Sequence, residues 1–452
     1  MAKTLKNTRK LPQKPVKDLS FLMQEVLDYA TKAGATSASV AVNADEGFSV
    51  DVRKSEVETV SFNEDKGVSL TVYLGQKKGS ASSTDTSSKA LKTLVEAAIN
   101  IAKVSAEDPC FGLADEALMT DTYPELDLYH PWEITPEHAI EQARDCEAHA
   151  LKQDKRLTNS DGVSFSTYNF MHGLATTYGG SGVICGSRHG VSCSLIAKDK
   201  QSMQRDYAYT TARSPHDLQD LQQLAECVAK RTINRLGARK IPTQKARVLF
   251  SSRVSSSLLS SFISAISGTN LYRKNSFLVN ALNQQIFPED MTIYEQPHLL
   301  KGLGSAIFDN DGVPTRNNTF VKEGRLAQYV LGTYSARRMN TVTTANSGGV
   351  HNLTVKPNAG LMPELIKMMD RGLLITELMG QGVNILTGDY SRGASGFWVE
   401  HGEIQHPVEE ITIAGNLKNM FLNLVAVGAD ININIATQCG SLLVEEMTIG
   451  GS

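Results

Sequence analysis

The sequence predicts an α+β protein in two units. The first alternates helices with an antiparallel meander; the second is mostly antiparallel β with a few helices. Three observations carry this expectation. Apolar residues recur at helical spacing in a few separated stretches. Between them, short runs alternate apolar and polar residues, with turns rich in Asn, Asp and Gly. The order helix, several strands, helix appears twice before residue 240, although the two cycles share no detectable sequence identity.

The first helix is expected over 18–33, where Leu19, Leu22, Val26, Leu27 and Ala30 form one stripe. Five short strands follow in the reading: 37–42, 48–53, 57–62, 67–74 and 79–84. Helix 87–104 places Leu91, Leu94, Val95, Ala98 and Ile101 on one face, with Ser87 or Ser88 as its cap. A loop with three prolines and many acids spans roughly 105–134. The second cycle opens at Thr135-Pro136, a capping residue followed by proline at the first helical position. Helix 136–152, strands between about 157 and 211, and helix 216–236 complete it. A boundary falls near 239–244, where a helix ends before Pro242 and the strand 246–250 begins. Beyond it come helix 253–267, helix 362–371 and many short strands. The expected division is thus a basic flexible tail (1–17), an N-terminal α+β domain (18–240) and a C-terminal β-rich domain (241–452).

The 452 residues carry a net charge of −3 with 41% hydrophobic and 21% charged residues, the balance of an ordinary soluble chain. That charge gives no general case for nucleic acid or for an anionic membrane. Lys3, Lys6, Arg9, Lys10, Lys14 and Lys17 concentrate basic charge at the start, which reads as a solvated tail. The tail has no apolar core of a secretory signal, and no apolar run is long enough to span a membrane. Six scattered cysteines without a CxxC pair argue against a disulfide framework and a zinc ribbon. A cytoplasmic protein is expected.

Several common chemistries are missing from the sequence. There is no phosphate-cradling Gly-Lys-Ser/Thr. Gly302-Leu303-Gly304 lacks the third glycine of a dinucleotide fingerprint, with Ile307 in its place. Neither Ser181 nor Ser395 completes a nucleophile elbow. His401 and His406 flank Gly-Glu-Ile-Gln in what reads as a β-hairpin. His172, His189, His351, His401, His406, Glu377, Asp389 and Glu400 are candidate ligands only by residue type, and nothing in their spacing brings them together.

The densest signal is Thr376–Glu400, with Gly380, Gly382, Gly388, Gly393 and Gly396 set among specific residues: Glu377, Gln381, Asp389, Tyr390, Arg392. Such density marks positive φ, bulges, or close approach of another backbone. This string resembles the C-terminal signature of the TldD/PmbA metallopeptidase family. Segments 57–85, 108–115, 205–210, 271–278, 297–305, 334–340, 348–352 and 410–421 are similar to the same family, in its PmbA branch, also called TldE.

The resemblance implies two non-equivalent subunits. The TldD branch carries His-Glu-x-x-x-His, two zinc ligands and the base that deprotonates metal-bound water. Aligning Leu258-Leu259 with the apolar pair before that motif puts its positions on Ser260, Ser261 and Ala265. A family cysteine that helps bind zinc falls on Cys439. The chain is therefore expected to hold no metal or other cofactor, zinc belonging to a TldD-like partner. The implied role is the metal-free subunit of a heterodimeric peptidase acting on unfolded or extended peptides, in modified-peptide maturation or antitoxin removal, and a homodimer when alone. Glu377, Gly380, Gln381, Gly382, Asp389, Tyr390, Arg392, Gly393 and Gly396 are the candidate peptide or interface block. The alternatives are a non-enzymatic modulator of DNA gyrase or its inhibitors, and a peptidase active by itself through another metal site.

Overall fold

The computed structural model describes residues 13–200 and 202–451. Helix α1 (Gln13–Lys32) begins before residue 18, so residues 13–17 of the expected tail are helical. Pro15 sits in the first turn, where its missing N–H would have no helical partner anyway. The rest of the tail lies outside the described residues.

Both cycles fold onto one antiparallel sheet. The first comprises α1, β1 (Ser37–Arg53), β2 (Glu56–Leu74), β3 (Lys77–Ser83) and α2 (Ser88–Val104). The second comprises α3 (Pro136–Lys152), β4 (Leu157–Thr176), β5 (Ser181–Lys198), β6 (Met203–Ala212) and α4 (Leu221–Asn234). Strand order is β3-β2-β1-β4-β5-β6, so β1 and β4 meet at the centre and an approximate twofold relates the cycles.

The expected short strands before residue 75 are fewer and longer than the sequence suggested. Residues 43–47, read as a turn, run straight through β1, and 63–66 run through β2 opposite them. Gly47 is there for close approach: a Cβ would lie 2.2 Å from the Thr167 carbonyl oxygen across on β4. Hydrogen-bonding partners on both sides of β1 hold this polar stretch extended.

Helices cover one face of the sheet. Met23, Val26 and Leu27 of α1 and Leu91, Leu94 and Val95 of α2 pack on Val40, Val42, Val68 and Leu70. Ala139, Ala143 and Cys146 of α3, with Leu224 and Val228 of α4, pack on Phe48, Val50, Val163 and Phe165. The caps follow the expected chemistry: Ser87 accepts from Ala90 N, and Thr135 from His138 N. Helix α4 starts later than expected because Asp220 caps it, accepting from Gln222 and Gln223.

The second unit begins with β7 (Gln244–Phe250), α5 (Ser256–Ala265) and α6 (Gly268–Tyr272). A four-stranded sheet follows from β8 (Ile293–Glu295), β9 (Asn318–Lys322), β10 (Arg325–Leu326) and β11 (Leu353–Val355), with α7 (Thr333–Arg338) between β10 and β11. Then come α8 (Met362–Met369), β12 (Gly372–Met379), β13 (Asp389–Glu400), β14 (Glu403–Asn416), α9 (Leu417–Leu422), β15 (Leu424–Val427) and β16 (Leu442–Gly450). Their order is β14-β13-β12-β7-β16-β15, and β16 also pairs with β14, which closes a small barrel. Among the described strands of the barrel only β7 and β12 pair in parallel. The fold is α+β, with the mostly antiparallel second unit that the sequence predicts. Among the described residues no helix is long and apolar enough to cross a membrane.

Candidate functional site

Helix α5 is built for packing. Leu258, Leu259, Phe262 and Ala265 are buried, and the Phe262 ring meets Phe287 and Phe421 at 5.3 and 6.0 Å between centroids. Ser260 faces solvent and donates to the Ser256 carbonyl at 3.0 Å; Ser261 does the same to Ser257. Both hydroxyls are thus used by their own helix. Ala265 is fully buried, so Ser260 and Ala265 do not share a face.

Cys439 is 1% exposed, and its thiol donates to Gly440 O at 3.2 Å. It lies beside Ser255, ahead of α5, without drawing that hydroxyl into a well-formed hydrogen bond. Burial pushes the thiol up to about 12, which holds it protonated in the chain as it stands. Two serines bonded to their own helix, an alanine and a single buried thiol do not make a zinc ligand set. Among the described residues no group of three His, Cys, Asp or Glu side chains is placed to hold a metal. The scattered histidines have other partners: His172 Nδ1 meets Asn43 Oδ1 at 2.6 Å, and His189 bridges Thr167 Oγ1 and His130 O.

The glycine block divides into a fixed stem and an exposed tip. In the stem, Gly396 sits at a bulge in β13, where a Cβ would come within 1.9 Å of Leu374 O. Tyr390 is buried against Phe250, and burial raises its phenol to about 12 against the pull of Arg392. Among the described residues the Tyr390 hydroxyl and Arg392 Nε make no hydrogen bond. In the tip, Gly380 takes a positive φ of 76° with open space around it. Gln381 and Gly382 are exposed, yet a Cβ on Gly382 would meet Ser391 O at 1.8 Å. Gly393 is looser, its nearest neighbour being Met379 Cβ at 3.3 Å. Asp389 is exposed and bonded by Thr387 and Asn416, which lower its carboxyl. His401 and Gly402 form the positive-φ turn of the β13–β14 hairpin, and His406 pairs with Trp398 farther along it.

The stem joins a charged junction between the two units. Glu377 accepts from Arg235, at the end of α4, at 2.6 Å; Ser395 Oγ bonds both. Arg235 also approaches Asp206 of β6 at 3.8 Å, and Arg253 binds Asp206 at 2.6 and 3.2 Å. Burial works against the Asp206 charge, but Arg253 and Arg235 outweigh it and hold the carboxyl below its usual range. A second tie is Arg213, buried over the Phe170 ring and donating to the carbonyls of Ser187, Gly302 and Leu303. Sequence reading named Glu377 but not the arginines and Asp206 that it joins. The legible signal is Asp206, an acid on the face of an alternating strand that also carries Gln204, Ala208, Thr210 and Ala212.

Asp309 titrates near neutrality. Burial and the neighbouring Asp311 raise its carboxyl to about 7, although Ser347, Val313 and Asp311 donate backbone N–H groups to it. A pKa raised in the folded state adds stability below the unfolded value, and that stability is lost as pH rises through the folded one. Unfolding free energy should therefore fall between about pH 4 and pH 7. Asp309→Asn should flatten that slope in urea titrations. An unchanged slope in the variant would assign it to another group.

Protein-family models match three stretches of the chain. Residues 38–102 match PmbA/TldA metallopeptidase domain 1, 129–236 its central domain, and 243–451 its C-terminal domain. Metalloprotease PmbA of Escherichia coli O157:H7 is 47% identical over 92% of each chain. The Metalloprotease PmbA homolog of Haemophilus influenzae is 43% identical over the full length of both. Among solved structures, a candidate modulator of DNA gyrase from Bacteroides thetaiotaomicron superposes with a TM-score of 0.91 at 28% identity, covering 96% of this chain and 99% of that one.

Proposed function

The chain belongs to the PmbA/TldA metallopeptidase family, and from that premise we propose that it is the metal-free subunit of a TldD/TldE-type zinc peptidase complex. The observation that carries this reading is α5, a packing helix that holds no metal-ligating side chain at Ser260, Ser261 or Ala265, the positions that the family resemblance sets beside the zinc motif. In the complex a TldD-like partner supplies zinc and the hydrolytic step. This chain supplies a matching half of the chamber and grips substrate. The exposed tip of the glycine block, Gly380–Gly382, is the proposed contact for an extended peptide. Main-chain bonding there suits a peptidase of loose sequence preference. Its substrates would be unfolded or flexible peptides, as in maturation of modified peptides or removal of an antitoxin. Six free cysteines fit a reducing cytoplasm. Alone, the chain forms a homodimer.

Metal analysis and peptidase assays of the separate and mixed chains test the proposal. The purified chain should contain no stoichiometric zinc and cleave nothing. Mixing with the His-Glu-x-x-x-His relative should produce cleavage of an unfolded peptide. About one tightly held zinc per chain, or cleavage by this chain alone, would sink the assignment.

The second reading, a modulator of DNA gyrase, draws on the description of the Bacteroides relative. It expects the chain alone to change supercoiling by purified gyrase. The peptidase reading expects no such change.

A further inference from the structure

The first cycle leaves bare a strand edge that the second cycle covers. β2 pairs with β1 along its length, but β3 reaches only Val68–Leu74. Among the described residues no strand pairs with Glu56–Gly67 on the side away from β1. The approximate twofold maps this stretch onto Ser181–Arg188 of β5, which lies beyond the reach of β6. There the segment between the cycles closes the edge. Ser181 N donates to Asp121, Ser187 N to Leu128 O, and His130 N to Ser187 Oγ.

The bare edge also carries an apolar stripe. Val57, Val60 and Phe62 stand opposite Val52, Val50 and Phe48 of β1, on the face that α3 covers. The β1 residues are buried, whereas Val57, Val60 and Phe62 are 38, 40 and 71% exposed. The rings of Phe48 and Phe62 lie 6.0 Å apart. The apolar face of the core thus continues one strand past its covering helix. Long open edges with apolar side chains invite pairing with another chain.

We infer that Glu56–Gly67 is the pairing edge for a second copy of this chain. An antiparallel edge is complementary to itself about a twofold axis, the geometry of an isologous dimer. Self-pairing joins residues of like parity, because alternate residues turn their N–H and C=O groups outward. The alternation breaks at Glu58, the extra residue of a bulge, so the regular open edge is Thr59–Gly67. The register centred on Phe62 pairs Thr59–Asp65 with their copies and opposes no like charges. Centring on Ser61 instead brings Glu64 against Glu58, and centring on Asn63 sets Phe62 against Glu64, both unfavourable. Charge and the apolar match therefore select one self-complementary pairing. It merges the two sheets and places Phe62 against its own copy. The inference rests on the homodimer proposed above but not on the peptidase chemistry.

Sedimentation of the full chain tests it with two variants at exposed positions. V60K/F62K should melt like the parent yet raise the dimer dissociation constant by about 100-fold or more. Under mild oxidation Phe62→Cys should form an interchain disulfide well above the parent's baseline. Val104→Cys, at an 85% exposed site on α2, should not. A parent chain that is monomeric at micromolar concentration overturns the inference. So does a V60K/F62K dimer as tight as the parent's, or equal crosslinking of the two cysteine variants. Loss of pairing with the zinc-bearing relative alone, with the homodimer intact, would reassign the edge to that partner. Failure of the peptidase assays leaves the sedimentation result standing.

Discussion

Replacing Asp206 with alanine is expected to destabilise the chain by about 3–5 kcal/mol, because it removes the buried anion that Arg253 and Arg235 share. Asp206 is 4% exposed and held by Arg253 at 2.6 Å, with Arg235 at 3.8 Å. Without it Arg253 keeps the Tyr207 carbonyl and the Tyr207 ring, neither of which neutralises its charge. Because the Asp206 carboxyl is depressed in the folded state, its stabilisation is present above the ordinary carboxylate range. It is lost as pH falls through the folded value. Urea titrations should show the parent weakening below about pH 4, and Asp206→Asn should lessen that dependence. The cluster spans β6, α4 and the start of α5, so the variant should also loosen the junction between units. Limited proteolysis near residues 237–244 would report this. A variant with parental stability at neutral pH would show that the arginines are neutralised elsewhere.

Gly396→Val is expected to be similarly severe, at about 3 kcal/mol or more, because its Cβ would sit 1.9 Å from a backbone oxygen in the barrel wall. The clash falls on Leu374 O, which has no side-chain freedom with which to yield. Gly393→Val, three residues away, should cost about 1 kcal/mol, since its nearest neighbour, Met379 Cβ, is 3.3 Å away and needs to give by only a few tenths of an ångström. The pair separates folding from function. Gly396→Val should fail by melting temperature before any assay of activity. Gly393→Val should fold, leaving the peptidase rate of the mixed pair free to report on this stretch. Equal melting of Gly396→Val and parent would mean that the β13 bulge opens at little cost. A folded Gly393→Val that still pairs and cuts at the parental rate would remove that position from the mechanism.

Helices were the most legible elements. The stripes at Leu19–Ala30 and Leu91–Ala98 face the sheet as their spacing requires, and Ser87 and Thr135 cap as their chemistry suggests. The two cycles were legible as a repeated order of elements, and they became the two halves of one sheet. The polar stretches 43–47 and 63–66 misled, since local composition favours a turn there. What overrides it is pairing with partners far away in sequence, such as Asn43 with His172 and Gly47 with Tyr168.

The sequence by itself determined the α+β class and the positions of the long helices. Both follow from residue type and short-range spacing, which any window of the chain displays. The tertiary structure alone decided which glycine serves a turn and which a close approach, as Gly380 and Gly396 show. It alone joined Asp206, Arg235, Arg253 and Glu377, and it alone left Glu56–Gly67 without a strand partner beyond β1 among the described residues while sealing the matching edge of β5. The physical reason is that such contacts join residues tens to hundreds of positions apart. Their energies depend on distances and burial that exist only once the chain has closed on itself.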